Sequence, residues 1–142
     1  MSKIYQVTPI VRLVNRLVSV MIRLGVMPTY ANILTVKRRK SGKEYSTPVT
    51  LVEKDGKRWL VAPYGEVNWV RNARAAGQVT LTRGAKSETR RIVEIAPTER
   101  APILKKYLAL APIVRPYFDA APDAPIEAFA AEAARHPVFE IV

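Results

Sequence analysis

Polar residues recur at Arg12, Asn15, Arg16, Ser19 and Arg23 inside a run that is otherwise apolar from Ile10 to Leu24. At 3.6 residues per turn they form one narrow stripe, so the spacing predicts a helix over 8–24 with an unusually wide apolar face. Gly25 and Pro28 close it. The period then shortens to two. Segments 33–36, 45–53 and 58–62 read as strands, with a turn at Ser41-Gly42 and a strong hairpin signal at Asp55-Gly56. Asn68 is placed to cap a short helix that reaches Ala76 and stops at Gly77. Two more strands, 78–82 and 87–95, flank Gly84. Pro97 opens a helix through Leu110, Pro112 and Pro116 break it, the alanine-rich stretch 126–135 is helical again, and 138–142 is a closing strand. About six mainly antiparallel strands and four helices, with no internal repeat, predict a single α+β domain: an antiparallel barrel flanked by helices. The amphipathic N-terminal helix falls in 1–28 and the barrel in 29–142.

Composition narrows what such a domain does. At 142 residues the chain buries a core without covalent staples. The absence of cysteine excludes disulfides, thiolate nucleophiles and zinc–thiolate sites, and accords with a cytoplasmic protein. Lys and Arg number 23 against 12 Asp and Glu, and the net charge of +11 favours an anionic partner. Three arginines within the first helix argue against a membrane span, and charges inside the apolar run argue against a signal peptide. The helix is expected to pack on its own barrel, with peripheral contact at the inner face of the cell membrane as the other reading of its wide apolar face. Nucleic acid is not the expected partner, because only Trp59 and Tyr45 are available as aromatic platforms among the basic strands.

The single histidine, His136, precedes a proline at a strand start. Neither a histidine-based triad nor a multi-histidine metal site can be assembled around it, so its expected role is structural and no metal is expected. Gly-x-Ser-x-Gly, Walker-type and Gly-x-Gly-x-x-Gly patterns are all missing from the sequence. An enzyme built from these residues would rely on a bound cofactor for its chemistry, with the protein supplying position and electrostatics.

The basic run Lys37, Arg38, Arg39, Lys40 and Lys43 surrounds the Ser41-Gly42 turn. A charge run in a turn is often a plain solvated surface. The other reading is an anion site, with backbone N–H groups and the Ser41 hydroxyl donating, Arg39 and Lys40 adding charge, and Gly42 permitting close approach. Trp69, Asn72 and Arg71 or Arg74 lie about one turn apart on the predicted helix, near one of its ends.

At these residues the chain resembles the deazaflavin-dependent nitroreductase family of the split-β-barrel flavin/deazaflavin oxidoreductases. The resembling pattern is Arg39-Lys40-Ser41-Gly42, Ser46-Thr47-Pro48, the Asp55-Gly56 hairpin, and Trp69-Val70-Arg71-Asn72 before Val79-Thr80-Leu81. The resemblance implies a split barrel that binds the reduced deazaflavin coenzyme F-420 and transfers hydride from it to an electron-poor organic acceptor. It further implies that Arg39, Lys40, Ser41 and Gly42 hold the coenzyme phosphate, that Trp69 and Asn72 line the site, and that Pro48 lies beside the ring. Arg74, with Lys37, Arg38 and Lys43, would attract the anionic tail. Two positions depart from the pattern: Tyr45 stands where many relatives have arginine, and Ala62-Pro63-Tyr64-Gly65-Glu66 replaces a Ser-Lys or Ser-Asn-Gly-Gly loop near ring and substrate.

Tyr117, in the irregular Arg115-Pro116-Tyr117-Phe118 segment, and Tyr64 are the candidate proton donors or substrate-orienting hydroxyls, with Tyr107 behind them. A quinone, enone or nitro compound is the expected small-molecule acceptor, and the protein is expected as a monomer or homodimer. An FMN-binding split barrel and a non-catalytic fatty-acid-binding barrel are the rival readings.

Overall fold

A computed structural model describes residues 8–142; the part of the 1–28 segment before Thr8 lies outside the described residues. The strands are β1 (Ala31–Lys37), β2 (Glu44–Lys54), β3 (Lys57–Val61), β4 (Gln78–Arg83), β5 (Lys86–Glu94) and β6 (Val138–Ile141). They close into a barrel in the order β1-β2-β3-β6-β5-β4, every described pair antiparallel. β2 is shared between two pairings: its residues 44–50 face β1 and its residues 51–54 face β3. This division splits the barrel. It also accommodates Pro48, which lies in the half of β2 paired on one side only, where a missing N–H is tolerated. At the β2–β3 hairpin Asp55 (φ 54°) and Gly56 (φ 75°) are both left-handed, the two-residue turn whose twist matches its strands.

Consecutive residues of β3 point to opposite faces, and both faces are buried. Leu60 joins Leu51, Leu81 and Phe139 inside the barrel, under α2 (Asn68–Ala76). Trp59 and Val61 pack outward with Val52 and Val138 against α3 (Ala101–Leu110) and Phe129 of α4 (Ile126–Ala130). The closing strand β6 therefore sits between two cores.

Several predicted elements are corrected. Asn68 is the first residue of α2 rather than its cap, which is Val67. The helix expected over 97–110 is a 3₁₀ turn, Pro97–Glu99, followed by α3. Pro102 lacks the N–H that would continue a helix from Pro97, so the helix restarts with proline in its first turn. The run 126–135 is helical only over Ile126–Ala130, with a 3₁₀ turn at Ala133–Arg135. Glu132 leaves the helical backbone at φ −114°, ψ 6°, and its buried carboxylate meets other partners.

The N-terminal helix, α1 (Pro9–Arg23), lies where the spacing places it. Thr8 caps it, accepting from the Val11 N–H at 3.2 Å. Ile22, with Val18, seats it on Ala31 and Ile33 of β1. Ile10, Leu13, Leu17 and Leu24 are 57–74% exposed. Packing on its own barrel thus takes up one edge of the apolar face and leaves the rest outward. No helix among the described residues is long and apolar enough to cross a membrane.

Candidate functional site

The link between β1 and β2 folds tightly on itself. The Arg38 N–H donates to Lys43 O, and the Gly42 N–H to Arg38 O, both at 2.8 Å, while the Lys43 N–H donates to Ser41 Oγ at 3.3 Å. Gly42 takes φ 72°, a left-handed conformation that other residues adopt only with strain, and nothing lies within 4 Å of where a Cβ would project. The amides of Lys40 and Ser41 donate to no group among the described residues. An exposed turn with two uncommitted N–H groups, a hydroxyl and flanking cations is chemically suited to an oxyanion. Tyr45 lies beneath the Arg38 guanidinium, whose Cζ is 5.4 Å from the tyrosine ring centroid. The tyrosine holds this cation by its ring face.

Helix α2 anchors this turn. Asn72 is 5% exposed, and its Oδ1 accepts from both the Arg39 N–H (3.2 Å) and Arg39 Nη1 (2.7 Å). One buried acceptor thereby fixes the backbone and side chain of Arg39 together. Trp69, one turn earlier, is buried in the barrel core, its ring 6.4 Å from that of Phe139 and tilted 51° to it. Pro48 is half-buried opposite Ile33 of β1.

Arg74 is not gathered into the turn. Its Nε and Nη2 donate to the Glu94 carboxylate at 2.7 Å each, and it pairs with Glu66 as well, Nη2 to Oε1 at 2.9 Å. The Arg74 hydrogen bond holds Glu66 below the ordinary carboxylate range, and the two carboxylates hold Arg74 firmly protonated. Arg100, only 5% exposed, extends the cluster: it donates to Glu94 Oε2 (3.1 Å), Ile95 O (3.0 Å) and Ala133 O (3.0 Å), while burial works to lower its own pKa. This network fastens the 62–67 loop to α2.

Of the candidate tyrosines, Tyr64 and Tyr117 come together. Their rings meet edge to face, centroids 4.8 Å apart at 76°, and both are half-buried. Tyr107 belongs to the core, and burial pushes its hydroxyl well above the ordinary range. His136 is buried at 3% exposure, with Nδ1 2.9 Å from Pro63 O and Nε2 2.7 Å from Glu132 Oε1. Burial lowers its pKa, and the Glu132 hydrogen bond works in the opposite direction. Glu132 was not singled out by the sequence, although its four-residue spacing from His136 was available as a signal. Two clefts, with volumes of about 500 and 270 Å³, lie by the Asp55-Gly56 hairpin, not at the basic turn.

A closed antiparallel barrel of six strands, split along β2 and carrying a basic anion-type turn pinned by α2, defines a split-barrel protein. The chain belongs to the F-420H(2)-dependent quinone reductase family, whose model matches residues 10–117. Membership assigns the deazaflavin coenzyme F-420 as cofactor and a reductase as the class of enzyme. Among solved structures, one described as a domain-swapped dimer is 21% identical, with a TM-score of 0.57 over 94% of this chain and 96% of that one. An F-420-H2 dependent reductase is 23% identical, with a TM-score of 0.55 over 82% of this chain and 96% of the other. A protein of unknown function from Agrobacterium tumefaciens is 17% identical, with a TM-score of 0.58 over 95% of this chain and 56% of its own. These likenesses establish the fold. No curated protein matches the chain.

Proposed function

We infer that this protein reduces an electron-poor organic acceptor, a quinone, enone or nitro compound, at a site framed by the 38–43 turn, Pro48 and the Tyr64–Tyr117 pair. When bound, the coenzyme supplies the hydride. The chain's own residues bind and orient. Arg39, Lys40, Ser41 and Gly42 take the phosphate through side-chain charge and backbone N–H groups, and Asn72 keeps Arg39 in place. Trp69 supports this wall from the core. Tyr64 and Tyr117 present hydroxyls for orienting the acceptor or returning a proton. Arg74 is committed to Glu66 and Glu94 and takes no part.

The observation that carries this reading is the double hydrogen bond from Arg39 to Asn72, which holds a turn whose Lys40 and Ser41 amides remain available. A fluorescence titration with the coenzyme, run beside FMN, tests it. Wild-type protein is expected to select the deazaflavin, and Arg39→Ala with Lys40→Ala to weaken binding roughly 100-fold, the worth of two charge-assisted contacts. Equal affinity in the double variant, with the fold intact, excludes the turn as the phosphate site.

A second reading concerns the outward face of α1, with Ile10 at 74% and Leu24 at 70% exposure among arginines. Apolar surface of this kind is covered by a second copy, as the domain-swapped neighbour suggests, or by an anionic lipid surface. Sedimentation with and without anionic vesicles separates a homodimer from peripheral membrane contact.

A further inference from the structure

The most fully buried polar pair among the described residues lies outside the machinery described so far. Glu132 and His136 are each 3% exposed, and both fall beyond the span matched by the family model. Their contacts reach two separate segments. On one side, His136 Nδ1 donates to Pro63 O at 2.9 Å. The same strap is reinforced by the Ala62 N–H donating to Pro137 O at 2.8 Å, and by Gly65, where an added Cβ would come within 3.3 Å of Arg135 O. On the other side, Glu132 Oε1 accepts from the Asp119 N–H (3.1 Å) and Oε2 from the Ala120 N–H (2.7 Å). The His136 ring also stacks on Phe118, centroids 4.0 Å apart at 12°.

The two segments so tied are those that carry Tyr64 and Tyr117. Each tyrosine is one residue from an anchored atom: Tyr64 follows Pro63, and Tyr117 precedes Phe118. The pair is well suited to rigid positioning because its own polar requirements are met internally. Pro63 O can only accept, so Nδ1 carries a proton, and the 2.7 Å contact at Nε2 needs a second proton held between the ring and Glu132. A buried network whose members are all satisfied has few alternative arrangements.

We propose that Glu132 and His136 are positioning residues that set the distance and angle between Tyr64 and Tyr117, and through them the wall against which the acceptor lies. The last clause rests on the proposed function of the two tyrosines; the first rests on contacts alone. Because the imidazole serves both segments through different nitrogens, its replacements separate the two ties. Asparagine at 136 retains a donor of Nδ1 reach towards Pro63 O. Glutamine retains a donor of Nε2 reach towards Glu132.

The test is ¹⁹F NMR of the full chain labelled with fluorotyrosine, with Tyr64 and Tyr117 assigned through Tyr64→Phe and Tyr117→Phe. In His136→Gln, which loses both the Pro63 bond and the Phe118 stack, both resonances are expected to shift. In His136→Asn, which keeps the Pro63 bond, the Tyr117 resonance is expected to shift more than that of Tyr64, and adding Glu132→Gln should enlarge the Tyr117 shift. Glu132→Gln alone keeps the shape of the side chain and serves if the histidine variants do not fold. Unmoved Tyr64 and Tyr117 resonances in folded variants overturn the proposal. Steady-state kinetics then read the functional clause separately: the acceptor KM is expected to rise about tenfold in His136→Gln, with coenzyme Kd changed less than about twofold. Shifted resonances with unchanged kinetics leave the positioning role standing and remove the tyrosines from the acceptor site.

Discussion

Asn72 offers one oxygen to two donors of Arg39, and that sharing makes it a sensitive point. In Asn72→Ala the turn loses its anchor. The expected consequence is a stability loss of about 1–2 kcal/mol and a coenzyme Kd raised about tenfold, both measurable by denaturant unfolding and titration. Asn72→Asp separates anchoring from charge: it keeps an acceptor for Arg39 and so keeps stability, yet places a negative charge beside the proposed phosphate site and is expected to weaken binding. A second prediction concerns Glu66. The Arg74 hydrogen bond holds its folded-state pKa below the ordinary carboxylate range, so the stabilisation is fully present above that range and is lost as pH falls through the lower folded value. Arg74→Gln should flatten stability against pH in that acid window, with the neutral-pH profile unchanged in shape. The residues of the turn and Asn72 were readable because charge, glycine and helical spacing are all local signals. Glu132 was not, since its partners at Asp119 and Ala120 come from a separate segment folded back on it, and alanine-rich helix propensity hid the break that brings its carboxylate inward.

Elements were most legible where one periodicity governs. Strands β2 to β5 and helix α2 follow the expected pattern closely because alternation and the Asp55-Gly56 and Gly77 signals act within a few residues. The stretch 97–110 was misread where a second proline, Pro102, outweighed an otherwise helical pattern. Helix α1 shows a different limit: amphipathicity locates a helix but does not say which face meets the barrel. Here Val11, Asn15, Val18, Ser19 and Ile22 are the more buried positions, and the polar stripe lies partly inward. This orientation yields a prediction for the element as a whole. Leu13→Gln with Leu17→Gln, at 57% exposure each, should change unfolding free energy by no more than about 0.5 kcal/mol per site while reducing self-association or vesicle binding. A large loss of stability instead would mean that the face is already covered within one chain.

At the scale of the whole molecule, the net charge of +11 is not spread evenly in effect. Arg58, Arg74, Arg100 and Arg135 all have carboxylate partners, so much of their field is cancelled locally. Lys37, Arg38, Arg39, Lys40 and Lys43 form no ion pair among the described residues, and all are exposed around one turn. These five cations around one turn give the proposed anion site a positive field that can steer a multiply charged coenzyme before contact. Such steering weakens as the screening length shrinks towards about 8 Å at physiological ionic strength. Coenzyme affinity should accordingly fall with added salt, more steeply than that of FMN, which carries a single phosphate. Arg39→Ala with Lys40→Ala should reduce the slope as well as the affinity. Arg90→Gln on β5, exposed and distant in the chain from the turn, should leave the slope nearly unchanged. Equal slopes in all three proteins would show that total charge, rather than its placement at the turn, governs association.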